Sequence, residues 1–90
     1  MSAFHYYAVK DAESNTLARF AMTIDYINQP EPTIKVDYDK RNAEIVPIDE
    51  SHSCINDRAR LEKAYSWLRW KIKSSLDRDG SIDEHYRHTA

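Results

Sequence analysis

The sequence predicts an α+β fold: a four-stranded antiparallel meander, covered on one face by a long C-terminal helix and followed by a short terminal helix. Three observations carry this expectation. Residues 16–27 and 33–38 alternate apolar and polar side chains with the period of a half-buried strand. Residues 61–76 repeat apolar side chains at the i, i+3, i+4, i+7 spacing of a helix stripe. The strand-like segments are joined by short links, which favours antiparallel neighbours.

AFHYYAVK, residues 3–10, is the first strand, with its facing open: Phe4, Tyr6 and Ala8 compete with His5, Tyr7 and Val9. DAESN links it to residues 16–27, where Ala18, Phe20, Met22, Ile24 and Tyr26 share one face. NQPEP supplies a turn, because Pro30 and Pro32 cannot donate to a ladder. In residues 33–38, Ile34, Val36 and Tyr38 point inward and Lys35 and Asp37 outward. DKRN leads to a fourth strand at 43–48, where Pro47 argues for an edge position or an early end. The helix runs from about residue 54 to about 77, with Leu61, Ala64, Tyr65, Leu68, Ile72 and Leu76 forming its stripe. Gly80, the chain's one glycine, stops it by adopting a left-handed conformation without a Cβ clash. Ser81 and Glu84 then form a capping box that starts the short helix at about 82–88.

Ninety residues form a single domain, 1–90, with one modest core. Apolar residues at 41% and charged residues at 31% fit a folded protein rather than a disordered one. No apolar run reaches membrane-spanning length and the N-terminus lacks a signal-peptide pattern, so a cytoplasmic location without membrane contact is expected. A lone cysteine, Cys54, excludes an internal disulfide and a cysteine-based zinc site. The net charge of −2 is unevenly spread. Residues 1–57 sum to −5, residues 58–78 to +5 and the tail to −2.

The motifs for chemistry are sparse. DRDGSIDEHY, residues 77–86, resembles the middle of an EF-hand loop. With Gly80 in sixth place, however, the demanding first and twelfth ligand positions hold Ser75 and Tyr86 rather than carboxylates. Helix stop and restart accounts for every residue, and no metal is expected. His85, His88 and Glu84 sit together without an evident fourth ligand or supporting shell. Phosphate loops and nucleophile elbows are missing, as are the glycines to build them. The expectation is a protein without catalytic residues, cofactor or enzymatic activity.

Contact surfaces are better marked. At about 100° per residue, Trp70 lies nearly opposite Leu61 and Leu68, and Trp67 lies between that far side and one flank of the stripe. Lys63, Arg60 and Lys71 share or border this surface. Either the terminal segment folds over the indoles, or a partner or second copy of the chain does; tryptophan is enriched at binding hot spots. Asp25, Asp37 and Asp39 belong to an acidic sheet side suited to a basic groove on another protein. The basic, tryptophan-containing helix 56–77 also admits nucleic-acid binding as an alternative, although dedicated nucleic-acid binders tend to be basic overall.

In size, in its sheet-plus-helix plan and in its want of catalytic machinery, the chain resembles small phage-encoded accessory proteins, anti-CRISPR inhibitors among them. The resemblance is one of general character over the whole chain, without signature residues, so no functional position is carried over from it. It implies a cytoplasmic inhibitor that acts by stoichiometric binding to a host protein or nucleoprotein complex.

Overall fold

The computed structural model describes residues 5–24, 34–50 and 58–88. Its elements follow in the order β1 (Tyr6–Glu13), β2 (Leu17–Thr23), β3 (Ile34–Asp39), β4 (Glu44–Asp49), α1 (Arg58–Asp79) and β5 (His85–His88). The strands form one antiparallel sheet in the order β4-β3-β2-β1-β5, an α+β architecture with the expected meander at its heart.

Alternation in sequence becomes two faces. On the helix side Ala8, Ala18, Phe20, Met22, Ile34, Val36 and Tyr38 are buried with Leu61, Ala64, Tyr65, Leu68 and Ile72 of α1 in one core. The registers Phe20↔Val36 and Ala18↔Tyr38 stack these residues directly across β2 and β3. In β1 the ambiguous facing resolves towards Tyr6 and Ala8, since Ala8 lies opposite Met22 and is fully buried. A bulge between Lys10 and Ala12 then shifts the strand. Lys10 bonds Glu13 at 2.7 Å and the Ile82 carbonyl at 3.2 Å, and Lys40 adds a second 2.7 Å bond to Glu13. Both lysines hold the Glu13 carboxyl below its ordinary range.

Two expectations need correction. The sheet has five strands rather than four, and the residues expected as a short helix at 82–88 instead supply β5. A helix of that length fixes more backbone than its few hydrogen bonds repay, whereas the free edge of β1 offers a ready ladder for buried backbone groups. Side-chain burial favours the strand too. Ile82 and Tyr86 both enter the core, and Tyr86 packs 5.9 Å from the Phe20 ring. The Tyr86 hydroxyl accepts from the Asp83 backbone N–H and donates to Ser75 Oγ, each at 2.9 Å. Ser75 in turn donates to Asp83 at 3.3 Å. The serine and tyrosine in the terminal positions of the loop-like stretch are therefore engaged with each other, inside the fold.

Gly80 does stop the helix, with φ of 72° and its N–H bonded to the Leu76 carbonyl at 2.9 Å. Element ends expected among the described residues shift by one to three residues. Strand β4 begins after Ala43, whose φ of 56° breaks the extended run. Residues 3–4, 25–27, 33 and 54–57 of the expected elements lie outside the described residues, as do Cys54 and the turn prolines Pro30 and Pro32. Among the described residues, no helix is long and apolar enough to cross a membrane.

Candidate functional site

Helix α1 carries seven basic and three acidic side chains, and the core absorbs almost none of them. Its inward stripe is apolar; its charge is displayed to solvent. The anchoring of α1 sets which way that display faces. Near its start, Tyr65 donates a short hydrogen bond to Glu50, which Arg58 also holds at 2.9 Å. These two donors keep the Glu50 carboxyl below its ordinary range, while burial and the adjacent carboxylate push the Tyr65 phenol up. One turn later, Arg69 Nε donates to the Ala43 carbonyl at 2.7 Å, tying the helix to the β3–β4 turn.

The two indoles then part company. Trp67 is half-buried, 5.3 Å from the Tyr6 ring and 6.1 Å from His88, so β1 and β5 together cover one of its sides. Its Nε1 is buried and meets no acceptor among the described residues. Tyr6 and His88 stack on each other at 5.4 Å, which completes a three-ring cluster. Trp70 has no such cover and is 63% exposed. Lys71 Nζ lies 5.5 Å from its ring centroid, a cation–π contact that keeps positive charge against the indole. Beside it a shallow groove of about 280 Å³ is lined by Ser66, Arg69, Trp70, Lys73, Ser74 and Asp77. Lys63 and Arg60 are exposed on the same helix.

The acidic residues named from sequence fall elsewhere. Asp37 lies on the sheet face turned away from α1 and accepts from Arg19 Nε at 2.9 Å. Asp39 accepts from the backbone N–H groups of Arg41 and Asn42 and from Asn42 Nδ2, at 2.9, 3.3 and 2.8 Å. Those bonds lower its pKa and fix the β3–β4 turn. Asp25 lies outside the described residues. The described residues among those expected to contact a partner thus occupy two separate faces: the outer side of α1 and the outer side of the sheet.

Sequence reasoning missed two further surface features. Among the described residues, the exposed large apolar side chains besides Trp70 are Val46 at 49% and Ile48 at 47%, both on β4. Their signal was present in EIVPID, but apolar residues there occupy both parities, which hid the facing. His85 and His88, three residues apart, would have shared a helix face. On β5 they diverge, His85 towards Tyr7 and His88 towards Tyr6. Among the described residues, no three His, Cys, Asp or Glu side chains cluster as a metal site.

No protein-family model matches the sequence, and no curated protein or solved structure matches it.

Proposed function

We propose that this protein is a non-enzymatic binding module that engages an acidic surface of a protein partner through the outer side of α1. One observation carries the reading: a tryptophan 63% exposed in the middle of a helix, amid basic side chains, on a chain that buries the other large apolar side chains of α1 wholly or in part. An exposed indole costs solubility, and tryptophan and arginine dominate the few residues that supply most binding energy at protein contacts. Lys63, Lys71 and Lys73 around it complement a negatively charged partner and speed the encounter. Trp67 serves this surface from beneath, as the packed support that sets the height of the helix over β1 and β5. Occupying a partner's surface in this way is also how a stoichiometric, phage-type inhibitor of a cytoplasmic host complex would act.

The test is affinity capture from a bacterial lysate with the wild-type chain and with Trp70→Ala side by side. A partner held by wild type and lost from the folded variant, with affinity reduced about tenfold or more in titration, supports the reading. Equal retention by both removes the α1 surface from consideration.

A second reading rests on the same indole, since an exposed ring flanked by Lys71 and Lys73 can stack on a nucleic-acid base. Such binding falls steeply with salt as counterions are released, and Lys71→Gln with Lys73→Gln weakens it further. The engagement of Arg69 with Ala43 leaves one cation fewer for phosphates, which favours the protein partner.

A further inference from the structure

The face of the sheet away from α1 presents a second contact surface, chemically unlike the first. Across β3 and β4, Asp37 pairs with Val46 and Asp39 with Glu44 on this side, and Arg19 of β2 lies opposite Asp37. Between Lys35 and Val36 the register slips, so that Ile48 is the extra residue of a bulge beside the Lys35↔Asp49 pair. A bulge of this kind crowds two residues of one strand against one of its neighbour and re-aims the side chains. Val46 and Ile48, two residues apart, stand exposed along this one strand. Next to them lies a recess of about 340 Å³ lined by Thr16, Leu17, Asp37, Asp39, Arg41 and Val46.

We propose that this face is the contact between two copies of the chain, packed sheet on sheet about a two-fold axis. Charge selects the occupant. Helix α1 bears seven basic side chains against three acidic ones, so two α1 faces repel each other and the outer helix surface cannot join like copies. The sheet face instead mixes both signs around an apolar centre: Arg19, Lys35 and Arg41 with Asp37, Asp39, Glu44 and Asp49. A two-fold rotation brings the same patch against itself, so residue i meets j while j meets i. A face of mixed sign satisfies that condition, because each basic group of one copy can meet an acidic group of the other. An apolar projection at Ile48 beside a recess that Leu17 and Val46 help to line is likewise self-complementary.

The other route to a dimer through this region is edge pairing of β4, and it is blocked. Pro47 lacks a ladder donor, and the bulge twists the strand out of line. Face-to-face packing, with the two sheets about 10 Å apart and their strands within about 30° of parallel, is the arrangement that remains.

Sedimentation equilibrium of the intact chain over a wide range of concentration tests the proposal. Wild type should approach twice the 10.6 kDa chain mass at the upper concentrations. Val46→Asp with Ile48→Asp should weaken association about tenfold or more, while Trp70→Ala should leave it unchanged. Circular dichroism confirms that each variant is folded. Ile48→Thr, which keeps the β-branch, provides a milder version should the double substitution unfold the sheet; a smaller weakening by it also supports the proposal. A wild-type chain that stays monomeric throughout overturns the proposal. So does a dimer that survives the β4 substitutions, or one lost on Trp70→Ala. Because Trp70 and the β4 pair are separate faces, failure here leaves the α1 reading intact, and the reverse holds.

Discussion

Replacing each indole of α1 by alanine in turn separates a packing residue from a contact residue with one measurement. Trp67 is half-buried against Tyr6 and His88. A fully buried tryptophan truncated to alanine costs about 3–5 kcal/mol, and partial burial scales that to roughly 2–3 kcal/mol. Its Nε1 is buried without an acceptor among the described residues, so its removal returns about 1 kcal/mol of desolvation cost. The net is about 1.5 kcal/mol. For a domain of this size each kcal/mol moves Tm by about 4–8 °C, so Trp67→Ala should melt roughly 6–12 °C below wild type. Trp70 is 63% exposed and touches Lys71 along the helix. Its substitution should stay within about 0.5 kcal/mol of wild type, a shift of less than about 4 °C. Thermal unfolding followed by circular dichroism reads both. Acrylamide quenching should strike Trp70 far harder than Trp67 in the corresponding single-tryptophan chains. If Trp70→Ala melts as early as Trp67→Ala, or Trp67→Ala melts like wild type, the assignment of one indole to the fold and the other to a partner is wrong.

Three further outcomes follow from local geometry. Ala43 holds φ of 56°, where an L-residue loses about 1–2 kcal/mol; after the entropy cost of glycine, Ala43→Gly should gain about 0.5–1 kcal/mol, seen as a higher urea midpoint, and Ala43→Val should lose more than that. Glu13 and Glu50 are held below the ordinary carboxyl value of 4.5 by Lys10 with Lys40 and by Tyr65 with Arg58. Their contribution is complete above that value and disappears as pH falls through their lower folded values, so Glu13→Gln should flatten the acid limb of a stability–pH curve and leave stability at low pH nearly unchanged. Tyr86→Phe strips the hydroxyl that joins Asp83 N–H to Ser75 Oγ. It should cost about 1–3 kcal/mol, with amide exchange in β5 accelerating first.

The parts of this molecule that announced themselves in sequence are those with an internal period. Ala18, Phe20, Met22 and Ile24 lie buried as their alternation requires. So do Leu61, Ala64, Tyr65, Leu68 and Ile72, as the helical stripe requires. What stayed hidden depends on distant partners. The segment His85–His88 carries a local helix signal in Ser81 and Glu84, and its strand character exists only because β1 lies alongside. The separation of the two indoles was invisible for the same reason, since His88 reaches Trp67 from that strand. Val46 and Ile48 escaped notice because apolar residues occupy both parities of EIVPID, and only the pairing with β3 decides which of them face outward.

The pairing of Tyr6 with His88 has a kinetic consequence. It joins segments some eighty positions apart, so the entropy of closing that loop is met only after the meander and α1 have formed. Strand β5 is then the last part to arrive and the first to leave. Each departure bares the β1 edge, whose Tyr6, Tyr7, Ala8 and Val9 make a sticky β-prone template. A proteolytic nick near Gly80, or a bulky fusion that pulls on His88, should therefore provoke aggregation long before it melts the rest of the protein.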